Sequence, residues 1–236
     1  MKKQTINIDI ITIIIIVNVL LLDQFLKFYV KLNFFAGEEH HILGTWFRLH
    51  FVENEGMAWG WKFGGDTGKI VLTVFRLVAV VWGTFLIKDF IKKGYHKGFI
   101  ICAGLIYAGA LGNLIDSVLY GLLFDSTYNP HNFQNAGVVA NLLTGKGYGV
   151  LLQGKVVDML YFPLFQSSFP SWLPIWGGER FEFFSPVFNV ADASITLGVL
   201  TIFIFQNIFF KSSKKNTTPT VANVIDTDSN DLQIVH

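Results

Sequence analysis

The chain has 236 residues, 52% hydrophobic and 15% charged, with a formal net charge of +1 and a mean hydropathy of +0.47. That composition excludes an ordinary soluble domain and puts the chain in a membrane. The net charge says nothing about nucleic acid, but the Lys and Arg residues lie where topology needs them rather than in a groove-like cluster, so no nucleic-acid partner is expected; the lone cysteine, Cys102, excludes an internal disulfide.

Four stretches, near 10–30, 70–90, 99–119 and 187–210, reach the roughly 20 helical residues needed to cross a bilayer. The first follows Lys2 and Lys3 as a secretory signal would. No small-residue cleavage pattern comes after it, and Asp23, Gln24 and Lys27 interrupt its outer part, so it reads as a retained helix. In the connection 31–69, Trp46-Phe47-Arg48-Leu49-His50-Phe51-Val52 alternates bulky apolar with polar residues, the period of a half-buried strand. Trp59-Gly60-Trp61-Lys62-Phe63 repeats the pattern, with Glu53 to Ala58 as the turn or edge between the two. The predicted fold class is therefore an all-α membrane protein of four transmembrane helices with a small antiparallel β-sheet resting on the bilayer surface. His40, His41 and His50 lack a recognisable ligand spacing, and no metal or cofactor is expected.

Arg76 stands near the outer end of the second span, where it can balance an intramembrane acid. The connection Lys88 to Lys97 is basic, as is the stretch Lys211 to Lys215 after the fourth span. Positive loops stay inside, so both termini are expected in the cytoplasm and 31–69 and 120–186 outside. In the third span Gly104, Ala108 and Gly112 recur every four residues, a spacing that lets helices approach closely in lipid, and Cys102 reads as packing. Asp116 continues that row, and packing does not explain a carboxylate there.

The outer connection that follows holds an Asn- and Gly-rich insertion within 124–153 with no clear period. Phe162 to Phe165 and Trp172 to Trp176 are aromatic and broken by Pro, suiting an interfacial segment better than a fifth span. At the head of the fourth span, Phe188-Asn189-Val190-Ala191-Asp192 sets an amide and a carboxylate three residues apart, on one helical face. Residues 1–211 form the membrane domain, and 212–236, rich in Ser, Thr, Asn and Asp, read as a disordered cytoplasmic tail.

The polar residues share a depth. From a start near Ile10, Asp23 lies roughly 20 Å up, about 10 Å below the outer boundary, and Asp192 lies roughly 8 Å deep. Asn113 and Asp116 fall in the last turns of the third span, on the same side. Residues 10–22, 77–87, 99–111 and 193–210 contain no Asp, Glu, Lys, Arg or His, which leaves no polar steps for a proton path. That argues against the alternative of a small proton-coupled transporter; the other alternative is a structural membrane subunit whose acids merely pair with Lys27 and Arg76.

Taken in order, Asp23-Gln24 with Lys27, Glu53 to Trp59, Gly109 to Asp116, Val156-Val157-Asp158 and Phe188 to Asp192 resemble lipoprotein signal peptidase, signal peptidase II, across all four spans. The resemblance implies a bacterial inner-membrane aspartic endopeptidase that removes signal peptides from prolipoproteins, cutting before a diacylglyceryl cysteine. It implies Asp158 and Asp192 as the catalytic pair and supporting or binding roles for Asp23, Lys27, Asn54, Gly56, Asn113, Asp116, Asn189 and Ala191. A monomer that needs membrane lipid and its prolipoprotein substrates as partners is expected. Many relatives carry Arg after the acid that matches Asp116, whereas this chain has Ser117, so Arg180 or Lys155 is expected to take that place.

Overall fold

A computed structural model describes residues 7–55, 65–128, 137–163, 165–183 and 186–211. Gly56, the Trp59 to Phe63 stretch and the 212–236 tail, all assigned above, lie outside them.

Among the described residues four helices, α1 (Ile8–Asn33), α2 (Gly65–Lys92), α3 (Lys97–Leu123) and α4 (Val190–Phe209), have the length and apolarity to cross a membrane. Half of the most apolar window of α3 is buried, against 11% in each of the others, so α3 is the post on which the rest lean. Its small residues permit this. A Cβ on Gly109 would fall 2.2 Å from the carbonyl oxygen of Ala191 on α4, so α3 and α4 touch backbone to backbone at the level of the acids.

The expected sheet is present with different partners. β2 (Phe47–Asn54) runs between β1 (Glu39–Leu43) and β3 (Val156–Tyr161), all antiparallel, and the two-residue β6 (Val187–Phe188) completes the order β1-β2-β3-β6. Glu53 and Asn54, expected at the turn or edge of the sheet, are the last residues of β2, opposite Val157 and Val156. The one-sided pattern of β2 serves the core. Phe51 is fully buried among Val30, Phe34, Tyr120, Phe124, Val157 and Met159, with Leu49 packed alongside. Stacking of Phe47 on Phe162 and of Phe162 on Phe188, at 4.8 and 5.8 Å between centroids, ties β2 and β6 to the end of β3.

Between β3 and β6 the aromatic, Pro-broken segments form a hairpin of β4 (Phe165–Ser168) and β5 (Arg180–Phe183). Trp172 and Ile175 are about three-quarters exposed (77% and 75%) at its tip, which suits contact with the bilayer surface. The described part of the 124–153 insertion also has a structural task. The amides of Leu143 and Gly149 donate to the carbonyls of Leu123 and Gly121, satisfying groups at the end of α3 that the helix itself leaves open.

Candidate active site

The fourth span starts at Val190, three residues later than the sequence suggests, because Asn189 caps the helix. Its side-chain oxygen accepts from the amide of Asp192 at 2.8 Å while the Asp192 carboxylate accepts from the amide of Asn189 at 3.4 Å, a reciprocal capping box. Asp192 therefore stands in the first turn, where the aligned peptide dipoles favour a negative charge.

The same Asn189 reaches the other acid. Its Nδ2 donates to Asp158 Oδ1 at 2.7 Å and to Asn113 Oδ1 at 3.1 Å. Asn113 in turn donates from Nδ2 to Asp192 Oδ1 at 2.7 Å. Asn54, at the end of β2, donates to the second oxygen of Asp158 at 3.1 Å. Two carboxylates from a strand and a helix are thus held by three asparagine amides drawn from β2, α3 and the α4 cap. Asp158 is almost wholly buried (3% exposed); burial, and after it the charge of Asp192, push its carboxyl up to about 7.

Beneath this lies a second polar group, fully enclosed. Lys27 Nζ contacts Asp23 at 2.8 Å and Asp116 at 2.6 Å and donates to Asn113 Oδ1 at 2.9 Å. Asp23 accepts from the Ala191 amide at 2.8 Å, and a Cβ on Gly112 would sit 2.9 Å from an Asp23 oxygen and 3.2 Å from the Ala191 methyl. Only small residues at 112 and 191 allow α1, α3 and α4 to close on one carboxylate. Gln24 donates to Asp116 Oδ1 at 2.9 Å and accepts from the Tyr120 hydroxyl at 3.1 Å. A buried charge survives only when paired and fully hydrogen-bonded, and these groups meet that condition for Lys27, Asp23 and Asp116.

All the expected site residues within the described part converge here: Asp23, Lys27, Asn54, Asn113, Asp116, Asp158, Asn189, Ala191 and Asp192. Gln24 and Tyr120 were missed as site residues; Gln24 adjoins Asp23 in the first motif, but nothing in the sequence marks Tyr120 as its partner. The guanidinium beside Ser117 comes from α2, with Arg76 Nη1 donating to Ser117 Oγ at 2.8 Å. Lys155 is engaged elsewhere. It pairs with Glu53 at 3.1 Å, and Lys31 pairs with the same carboxylate; burial raises the Glu53 carboxyl, but these two ammoniums outweigh it and hold it below the usual range. The Arg180 side chain lies outside the described residues. His40 and His41 sit on β1 against Glu38 and Glu39, away from the acids.

The family model described as Signal peptidase (SPase) II matches residues 15–209. A lipoprotein signal peptidase of Porphyromonas gingivalis is 42% identical over 192 residues, covering 80% of both chains. One of Amoebophilus asiaticus is 33% identical over 187 residues, 77% of this chain and 71% of that one. A solved structure, described as a bacterial membrane enzyme determined by the in meso method, superposes with a TM-score of 0.50 at 25% identity, covering 86% of this chain and 93% of the other. The matched residues run from within α1 to the end of α4 and include every element that carries the two carboxylates and their amide partners, and on that match the chain belongs to the signal peptidase II family.

Proposed function

We propose that the chain is an aspartic endopeptidase that removes signal peptides from prolipoproteins, with Asp158 and Asp192 as its catalytic pair. The observation that carries this reading is the bridge through Asn189 and Asn113, which holds two carboxylates from different elements on one amide network. Two acids joined through one amide network in a low-dielectric site do not both ionise easily, and in this reading they share one proton. Asp192, in the first turn of α4, is assigned the role of general base and takes a proton from water. Asp158 keeps the shared proton and polarises the scissile carbonyl. The water oxygen bonds to the carbonyl carbon, the C–N bond breaks, and the departing nitrogen leaves with a proton from the pair. No metal or cofactor enters this scheme.

The basic stretches at 88–97 and 211–215 support cytoplasmic termini and a site close to the outer face. At that level a cysteine anchored by diacylglyceryl chains brings the scissile bond to the acids, and each buried CH₂ contributes about 0.8 kcal/mol to holding it there. Purified protein incubated with a diacylglyceryl prolipoprotein should yield the shortened product on a gel. An uncut precursor in the presence of folded protein rules the reading out.

A further inference from the structure

Arg76 is the one ionisable residue of α2 between Lys69 and Lys88. It lies eleven residues into α2, about 16 Å along the axis from Gly65, and is half-buried on a helix that packs on α3. A cation so placed in a span is costly without compensating partners. Its Nη1 donates to Ser117 Oγ at 2.8 Å, Ser117 Oγ donates to the backbone carbonyl of Asn113 at 2.8 Å, and the side-chain Nδ2 of Asn113 donates to Asp192 at 2.7 Å. Three hydrogen bonds thus lead from α2 to the acid pair. The charges point the same way. Lys27 is in direct contact with Asp23 and Asp116, and the pair, carrying one proton, adds a third negative charge. Arg76 is the second cation of this group, and its charge acts on Asp192, Asp116 and Asp158.

We propose that Arg76 is a positioning residue for the acid pair. Anchored on Ser117, it fixes the turn of α3 that presents the Asn113 amide to Asp192, and sets a positive charge opposite the pair's negative one. A guanidinium does both at once, because one edge of its planar fork can bond a hydroxyl while the delocalised charge faces the carboxylates. This inference rests on the acid-pair reading above. Its failure is separable from failure of that reading, since an Asp192→Asn variant that keeps its activity sinks the pair itself, whatever Arg76 does.

The test is kcat and KM for cleavage of a diacylglyceryl prolipoprotein by wild type, R76Q, R76K, S117A and the double variant R76Q/S117R. R76Q should lower kcat about tenfold or more, the effect of one lost hydrogen bond to a charged group, with KM within about twofold of wild type. R76K should recover part of the loss. R76Q/S117R should recover most of it, because a side chain at 117 starts where the present guanidinium ends. Wild-type kcat in R76Q overturns the proposal. So does a raised KM at unchanged kcat, which makes Arg76 a substrate contact, and so does a loss that neither R76K nor R76Q/S117R repairs, which makes it a folding residue. If R76Q does not fold, S117A keeps the charge and removes only the anchor. Its kcat should then fall severalfold, and wild-type kcat there is equally fatal.

Discussion

Asn189 performs two tasks with two ends of one amide, and substitutions can separate them. Its oxygen caps α4, accepting from the Asp192 amide at 2.8 Å, and its nitrogen holds Asp158 at 2.7 Å. Losing a cap of this type costs about 0.5–2 kcal/mol of stability. A hydrogen bond to a charged or strongly polarised group contributes about 1.5–3 kcal/mol, or roughly ten- to a hundredfold in rate if the bond is needed in the transition state. Asn189→Ala loses both and should lower the unfolding midpoint as well as the activity. Asn189→Ser keeps an oxygen at the cap but has no nitrogen to extend toward Asp158. It should therefore unfold at a higher midpoint than Asn189→Ala, by the roughly 0.5–2 kcal/mol of the retained cap, while kcat/KM falls about ten- to a hundredfold in both variants. Thermal unfolding in detergent together with gel-based cleavage rates gives both quantities. If Asn189→Ser cleaves at the wild-type rate, the bridge between cap and acid pair has no part in catalysis.

Cleavage should decline as pH rises through about 7, the value to which burial and then Asp192 push Asp158, because the acid that polarises the carbonyl loses its proton there. The fall is expected to approach tenfold per pH unit, and a rate still rising at pH 8 contradicts the assignment. The sign for stability agrees: the folded state holds that proton more tightly than the unfolded chain, so this group's contribution declines between the ordinary carboxylate range and about 7. Lys27→Met leaves Asp23 and Asp116 buried without their cation and should cost about 3–5 kcal/mol, read by denaturant or thermal unfolding. Gly109→Ala puts a methyl 2.2 Å from the Ala191 carbonyl oxygen, forcing α3 and α4 apart. About 1–3 kcal/mol of stability should be lost, together with activity, since Asn113 and Asp192 sit on the two separated helices.

The four spans were legible because lipid demands long apolar runs and little else imitates them. Asp158 and Asp192 stand out in the sequence because their motifs occur in the order of the family's, and because a carboxylate at the head of an apolar helix calls for a reason; the structure puts both on one asparagine network. β1 was not legible. Its residues Glu39 to Leu43 are mostly exposed, so no alternation of burial marks them, and only pairing with β2 makes them a strand. The β4–β5 hairpin and the cover that the insertion lays over α3 escaped for a related reason, as both are defined by backbone pairing between distant residues with no periodic side-chain signal. Asn189 was read as a helical residue because it lies three positions from Asp192; the competing tendency of Asn to cap helices won. Tyr120 and the Arg76–Ser117 contact needed three-dimensional proximity, because their partners lie 96 and 41 residues away in sequence.

The most direct measurement of the central claim is single-turnover cleavage of a diacylglyceryl prolipoprotein by Asp158→Asn and Asp192→Asn, each first shown to insert into membranes and unfold like wild type. Either change is nearly isosteric and removes only a group that can carry or take the proton. Both variants should fall below about one per cent of the wild-type rate, as expected when a general acid or base contributing about a hundredfold or more is lost. Retention of more than a few per cent of the wild-type rate by either folded variant contradicts the acid pair.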